Sequence, residues 1–233
     1  MDSLPTPVRR EPLAAQVAGR FRALIENGTW PVGARIPGEN QLAAELRVSR
    51  GTVREALRAL SVAGLLDPRV GDGTYVRARD ELSALLGRDA AATELEHALD
   101  VREVLEAAAA RRAARHADRE QVRQLEDALA ARALAYQGGD RGAYVAADVR
   151  FHAMISGICG NPLLSRLYEA VSGVMTDVIR QTPMPAPEPT VEHLHVELVQ
   201  AIAEHDADKA ERIAVDLIEE VKFLSAVLKD DLP

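Results

Sequence analysis

The stretch VSRGTVREALRALSVAGLL, residues 48–66, decides how the N-terminal third of the chain is read. Ser49 is placed to start a helix, because its side-chain oxygen can accept an N–H of the first turn that has no partner within the helix. Behind it Val53, Ala56, Leu57, Leu60 and Ala63 recur at helical spacing and make one apolar face. Gly64 stops the run. The opposite face carries Arg50, Thr52, Arg54 and Arg58. Such a helix packs on one side and presents guanidinium and hydroxyl groups near its N-terminus. A helix that enters the major groove needs that arrangement, since arginine can pair with O6 and N7 of guanine together. An amphipathic surface helix with solvated arginines is the competing reading of this stretch taken alone.

The flanks favour the first reading. Residues 39–46, ENQLAAEL, make a short helix with Leu42, Ala43 and Leu46 inward, and Arg47-Val48 turns the chain into the second helix. Downstream, residues 65–70 and 74–77 are strand-like, and Gly71-Asp72-Gly73 between them signals a hairpin, which reads as a wing. Upstream, residues 12–27 have helical period with Val17, Phe21, Leu24 and Ile25 inward, and Trp30-Pro31-Val32-Gly33 turns the chain.

In this order the motifs resemble the winged helix–turn–helix of the GntR family of bacterial transcription regulators. The matching words are Pro37-Gly-Glu39, Leu42-Ala43, Val48-Ser-Arg-Gly-Thr-Val-Arg-Glu-Ala-Leu57, Leu60, Gly64-Leu65 and Gly73-Thr74-Tyr75-Val76. The resemblance implies a double-stranded DNA partner, touched at Arg35, Asn40, Ser49, Arg50, Gly51, Thr52, Arg54, Gly71 and Gly73. Arg50 and Arg54 are expected to read bases, Ser49 and Thr52 to touch phosphates, and the Gly71–Gly73 tip to approach the minor groove. The chain departs from the pattern at Asn40, where the family often has an arginine, at Gly51, where it often has threonine, and at Asp72, in a tip that is often basic. Fewer cations at the duplex imply modest, strongly salt-dependent affinity.

The 233 residues suffice for two modest domains, and their charge divides accordingly. Residues 1–79 hold 12 arginines against 8 acidic residues, whereas the remainder holds 16 basic and 28 acidic ones within a chain of net charge −8. A basic reader joined to an acidic domain held away from the duplex fits that asymmetry. No apolar run approaches transmembrane length, and residues 1–11 lack a signal-peptide core, so no membrane partner is expected. The single cysteine, Cys159, fits a reducing cytoplasm and sits on an apolar stripe, as a buried inert thiol does.

From residue 94 every segment has helical period, with helices expected near 94–116, 119–137, 141–158, 162–181, 190–205 and 206–229. Gly138-Gly139, Gly160-Asn161-Pro162 and the proline-rich residues 182–189 separate them. The fold expected is mainly α: an N-terminal winged helix–turn–helix (three helices plus a small hairpin wing) over 8–78, a linker over 79–93 with a helical piece at 81–86, and an antiparallel helical bundle over 94–230.

Polar residues interrupt the apolar stripes of that bundle. Asp148 and His152 are four apart, so they share a face, and that face also carries Val145, Val149, Ile155 and Cys159. Such a pair needs each other, a metal or a polar ligand, because unpaired burial is costly. His195 lies with Val191, Leu198 and Ile202 on an inner stripe, whereas His193 points elsewhere and reads as solvated. Arg102 shares a stripe with Leu95, Leu99 and Leu105 and wants a carboxylate or phosphate, which Glu106, Asp148 or a ligand can supply. Arg111, Arg112 and Arg115 read as surface charge.

Residues 94–229 resemble the helical FCD domain of the FadR branch of GntR regulators, and Gly160-Asn-Pro-Leu-Leu164 matches a turn of that domain. There an Asp-x-x-x-His pair and two later histidines surround a metal, which with an arginine holds a small carboxylate effector. Asp148, His152 and His195 fall on the first three positions and Arg102 on the arginine, but Leu217 stands where the last histidine belongs. The resemblance thus implies an effector site of Arg102, Asp148, His152 and His195, and a three-ligand divalent site suited to zinc, nickel or manganese. The whole reads as a cytoplasmic, homodimeric, ligand-responsive regulator, a repressor by the commoner family role, bound to a two-fold DNA site. An acyl-thioester sensor, or another effector pocket without metal, competes with it. A helical metalloenzyme using Asp148, His152 and His195 also competes, but it leaves residues 12–78 unexplained and lacks an evident general base.

Overall fold

The computed structural model describes residues 11–88, 95–181 and 189–230. Residues 182–188 of the expected proline-rich break at 182–189, and residues 89–93 of the expected linker, lie outside them. The chain divides into two compact units, residues 1–85 and 86–233.

In the first unit α1 (Leu13–Glu26), α2 (Glu39–Leu46) and α3 (Arg50–Val62) pack around Val17, Phe21, Ile25, Leu42, Val53, Ala56 and Leu60. These are the residues whose spacing put them inward, and Val53 retains no exposure. Removing each of the larger ones (Val, Leu, Ile and Phe) from water is worth about 1.5–3 kcal/mol, which is what fixes the three helices on one another. The α2–α3 turn runs through Arg47, which adopts the left-handed conformation (φ 54°) that more often falls to glycine. Ser49 caps α3 by accepting the Thr52 N–H at 3.0 Å, and Gly64 follows its end at φ 83°.

The wing is β1 (Leu66–Arg69) antiparallel to β2 (Gly73–Val76), with Leu66 opposite Val76. The wing has the two strands expected, and an isolated bridge between Arg35 and Tyr75 lies beside them. Residues 33–36 pair along the free edge of β2, through Gly33 N–H to Val76 O, Val76 N–H to Ala34 O and Ile36 N–H to Thr74 O, each at 2.9 Å. This segment carries Arg35 across the wing, where a Cβ on Gly73 would lie 2.5 Å from Arg35 Nε. The Arg35 side chain could move aside, so it is the φ of 148°, which side chains with a Cβ rarely adopt, that explains glycine at position 73. Helix α4 (Glu81–Arg88) follows, slightly longer than the expected piece at 81–86, with Asp80 accepting the Ser83 N–H at 2.7 Å.

The second unit is the expected helical bundle, of α5 (Leu95–His116), α6 (Arg119–Gln137), α7 (Arg141–Ile158), α8 (Pro162–Gln181), α9 (Pro189–Ala203) and α10 (Ala207–Asp230). Asp118, Asp140, Asn161 and Asp206 each accept an N–H in the first turn of the helix that follows, so the polar residues at the breaks also start the next helix. Helix α5 packs against α7, α8, α9 and α10. Its buried face is mostly alanine (Ala109, Ala110, Ala113 and Ala114), which lets four neighbours approach one helix closely. Phe151, Leu125, Leu198, Ile202 and Cys159 complete that core.

Candidate functional site

Of the residues read as DNA-facing, Asn40 opens α2, Ser49, Arg50, Gly51, Thr52 and Arg54 form the cap and first turns of α3, and Arg35, Gly71 and Gly73 lie at the wing. Arg50, Arg54 and Arg58 are exposed. Arg50 and Arg54 are not free, however: residues of α2 hold both. Arg54 Nε lies 3.1 Å from both Glu39 oxygens, and Nη2 lies 2.8 Å from Oε2. Arg50 Nη1 donates to Asn40 Oδ1 at 3.0 Å. The hydrogen bond from Arg54 holds the Glu39 carboxyl below its ordinary value against the opposing effect of burial. Ser49 and Thr52 place their hydroxyls 2.8 Å apart at the N-terminus of α3. In the wing, Tyr75 donates to Asp72, which raises the phenol's pKa, and Arg69 stacks over the Tyr75 ring at 4.2 Å.

In the second unit Asp148, His152 and His195 come together. Helix α7 supplies the first two, one turn apart, and α9 supplies the third. Both histidines are buried. Their Nε2 atoms are 3.2 Å apart, and Asp148 Oδ1 lies 3.5 Å from His195 Nε2 and 3.9 Å from His152 Nε2. The other ring nitrogens are engaged: His195 Nδ1 lies 2.7 Å from Val191 O, and His152 Nδ1 lies 2.8 Å from Glu106 Oε2. A carbonyl only accepts, so His195 Nδ1 carries the proton and its Nε2 is a bare lone pair when the ring is neutral. The same holds for His152 against the ionised Glu106.

Two lone pairs and a carboxylate oxygen therefore face one another in a buried space. A proton or a cation between them relieves that repulsion. The donor set suits a divalent ion. Ligands held about 2.1 Å from an ion lie about 3.0–3.4 Å apart, and the two shorter separations fall near that range. A partner on each Nδ1 is also what orients metal-binding histidines.

Around these three lies a charged shell of which the sequence reading found only part. Arg102 is buried, bonds Glu106, and approaches Asp148 Oδ2 at 3.7 Å, so it borders the site as expected. Arg132, absent from that reading, is 1% exposed and donates to Asp148 Oδ1 at 2.8 Å and to Glu192 Oε1 at 2.7 Å, with Tyr144 also bonded to it. Leu125, Ala128 and Arg132 lie on the same buried stripe of α6, so the rule that singled out Arg102 applies to Arg132 as well. Glu106 is the other addition: it joins Arg102 to His152.

Burial alone would raise the Glu106 pKa, but Arg102 and His152 bring it down to about 2. Burial likewise opposes ionisation of Asp148, yet His195, His152, Arg102 and Arg132 together hold its carboxyl well below the usual range. Burial lowers the pKa of His195 and keeps the ring neutral. Apart from the imidazoles, two arginines face three carboxylates, Glu106, Asp148 and Glu192. On the Glu106 side of His152 a small cavity of about 10 Å³, lined by Glu106, Ala110, His152, Leu198 and Ala214, has room for one water at most.

Leu217 is 2% exposed and packs with Leu99, Ala98 and Ile218. His193 is exposed, as expected, and Cys159 is buried. The reading of Arg112 as surface charge is corrected. It is half-buried and donates to Cys159 O at 3.0 Å, because the last carbonyls of α7 need donors where α5 crosses them. Arg111 is also half-buried, paired with Asp208 at 2.8 Å and with Glu211, and so ties α5 to α10.

Comparison with known proteins follows the same division. The family described as bacterial regulatory proteins, gntR family, matches residues 13–76, and the FCD domain matches residues 97–220. The HTH-type transcriptional repressor NanR of Edwardsiella tarda (strain FL6-60) is 28% identical over 220 residues, covering 88% of this chain and 82% of NanR. The galactonate operon transcriptional repressor of Escherichia coli (strain K12) is 30% identical over 204 residues, covering 83% of this chain and 88% of the repressor. Among solved structures, Streptococcus agalactiae GntR aligns with a TM-score of 0.57 at 26% identity, covering 89% of this chain and 98% of that one.

Proposed function

The chain belongs to the GntR family of bacterial regulatory proteins and carries its FCD domain, and we propose that it is a transcriptional repressor of the FadR branch, released from DNA by a small carboxylate. Residues 8–78 bind DNA, 79–93 link, and 94–230 bind the effector and dimerise. Two chains on a two-fold site double the contacts of one winged unit, and light scattering of the full chain should give twice its mass. The protein works in the cytoplasm, and no described helix is long and apolar enough to cross a membrane. The metalloenzyme alternative falls away, because the family and the relatives are regulators.

One observation carries the effector reading: the convergence of Asp148, His152 and His195 beside buried Arg102. These three residues would hold a divalent ion, with His195 fixed by Val191 O and His152 by Glu106. When bound, such an ion supplies positive charge and open coordination positions for an anion. Such an ion would offset the excess of carboxylates over guanidiniums around it and so favour an anion beside it. Arg102 then orients a carboxylate. The E. coli relative represses a galactonate operon, and galactonate is a small carboxylate.

An effector changes DNA affinity only by binding one conformation of the chain better than another. A metal-free pocket is the second reading, favoured by Arg132 Nε bonded to the same Asp148 oxygen a metal would use. In that case Arg102 and the two histidines bind the anion directly. A thermal-shift screen of sugar acids and other small carboxylates, run with and without a chelator, separates the two. A shift abolished by chelation and restored by zinc supports the metal. A shift that persists supports the second reading, and no shift with any carboxylate refutes both.

A further inference from the structure

We infer that Glu39 and Asn40, the first two residues of α2, set the DNA selectivity of this protein by holding the arginines of α3 in a base-reading posture. The inference rests on the winged unit binding DNA. An exposed arginine has four flexible torsions, and ordering them costs part of what a base contact returns. Here the ordering is done before DNA arrives. Glu39 takes the Nε–H and one Nη2–H of Arg54, which is the side of the guanidinium. The end of the fork, with both Nη1 hydrogens and one Nη2 hydrogen, stays open. That end carries the two parallel donors that meet O6 and N7 of guanine.

Arg54 is the more exposed partner, with a side chain 70% accessible against 35% for Glu39, so the carboxylate lies behind the fork rather than in front of it. Asn40 holds Arg50 at the other side, through Nη1, and leaves the Nε–Nη2 edge of that guanidinium open. Arg50 and Arg54 are one turn apart on one face of α3, so adjacent residues of α2 serve adjacent readers. The Glu39 carboxylate has a second effect. It lies near the surface that would meet phosphates and opposes binding that rests on charge alone.

The test uses the full chain. The wild-type protein selects a duplex from a randomised library, and affinities are measured on that duplex and on a shuffled one of equal composition. Glu39→Ala should tighten binding to the shuffled duplex and weaken binding to the selected one, lowering their ratio on the order of tenfold. Glu39→Gln, which keeps one acceptor, should recover part of the ratio. In an Arg54→Ala background, Glu39→Ala should leave the ratio unchanged, because Glu39 acts through Arg54. A purely structural role in α2 would persist in that background. An unchanged ratio for Glu39→Ala, or an equal fall with and without Arg54, overturns the inference. If no duplex is enriched at all, the DNA-binding reading itself fails.

Discussion

By the resemblance, Leu217 stands where a four-ligand site would have its last histidine. Leu217 is buried against Leu99 and Ile218, so a histidine there meets no water. An unmet buried polar group costs about 1–3 kcal/mol. Leu217→His should therefore melt lower than the wild type without metal and recover with zinc, and its zinc affinity should exceed that of the wild type. Paired melts and titrations check this, and a variant indifferent to zinc would place Leu217 outside the ligand sphere. Arg132 works in the opposite direction. Its guanidinium already satisfies Asp148, so any cation entering the site competes with a charge that the chain itself supplies.

At the scale of elements, α3 depends on its start. The Ser49 hydroxyl satisfies the Thr52 N–H. Ser49→Ala should cost about 1 kcal/mol in the stability of the winged unit, measured by denaturant unfolding, with Ser49→Asp restoring most of it. What could be read from sequence follows from the range of the interactions. Helices α1 to α3 show in local periodicity, and so do the inward positions of Asp148, His152 and His195, each on the apolar stripe of its own helix. The third strand-like segment of the wing was hidden, because residues 33–36 sit between Pro31 and Pro37 and pair with residues forty positions away. Arg132 was hidden for another reason. Helix α6 is so charged on its outer face that its short stripe of Leu125 and Ala128 is faint, and Arg132 merges with the exposed arginines around it. Glu106 was visible only as a partner for Arg102. Its bond to His152 joins α5 to α7, which spacing within one helix does not reveal.

For the whole molecule the buried charges predict a direction of pH dependence. Glu106 and Asp148 have folded pKa values below their ordinary values of 4.5 and 3.8, so the stability they confer is complete above those values and is lost as pH falls through the folded ones. His195 adds to the same trend from higher pH. It stays neutral in the fold while the unfolded chain takes up a proton below about 6.5. Melting temperature should therefore decline steadily on acidification from neutral pH, and a maximum near pH 4 would contradict this assignment of charges. We propose that Asp148, His152 and His195 hold a divalent ion through which the acidic unit senses its effector. The most direct test is metal analysis of the purified full-length protein beside His152→Ala, after exposure of both to zinc and exhaustive dialysis. The account expects close to one ion per wild-type chain and none in the variant. Equal content in the two proteins, or no retained ion in either, would contradict it.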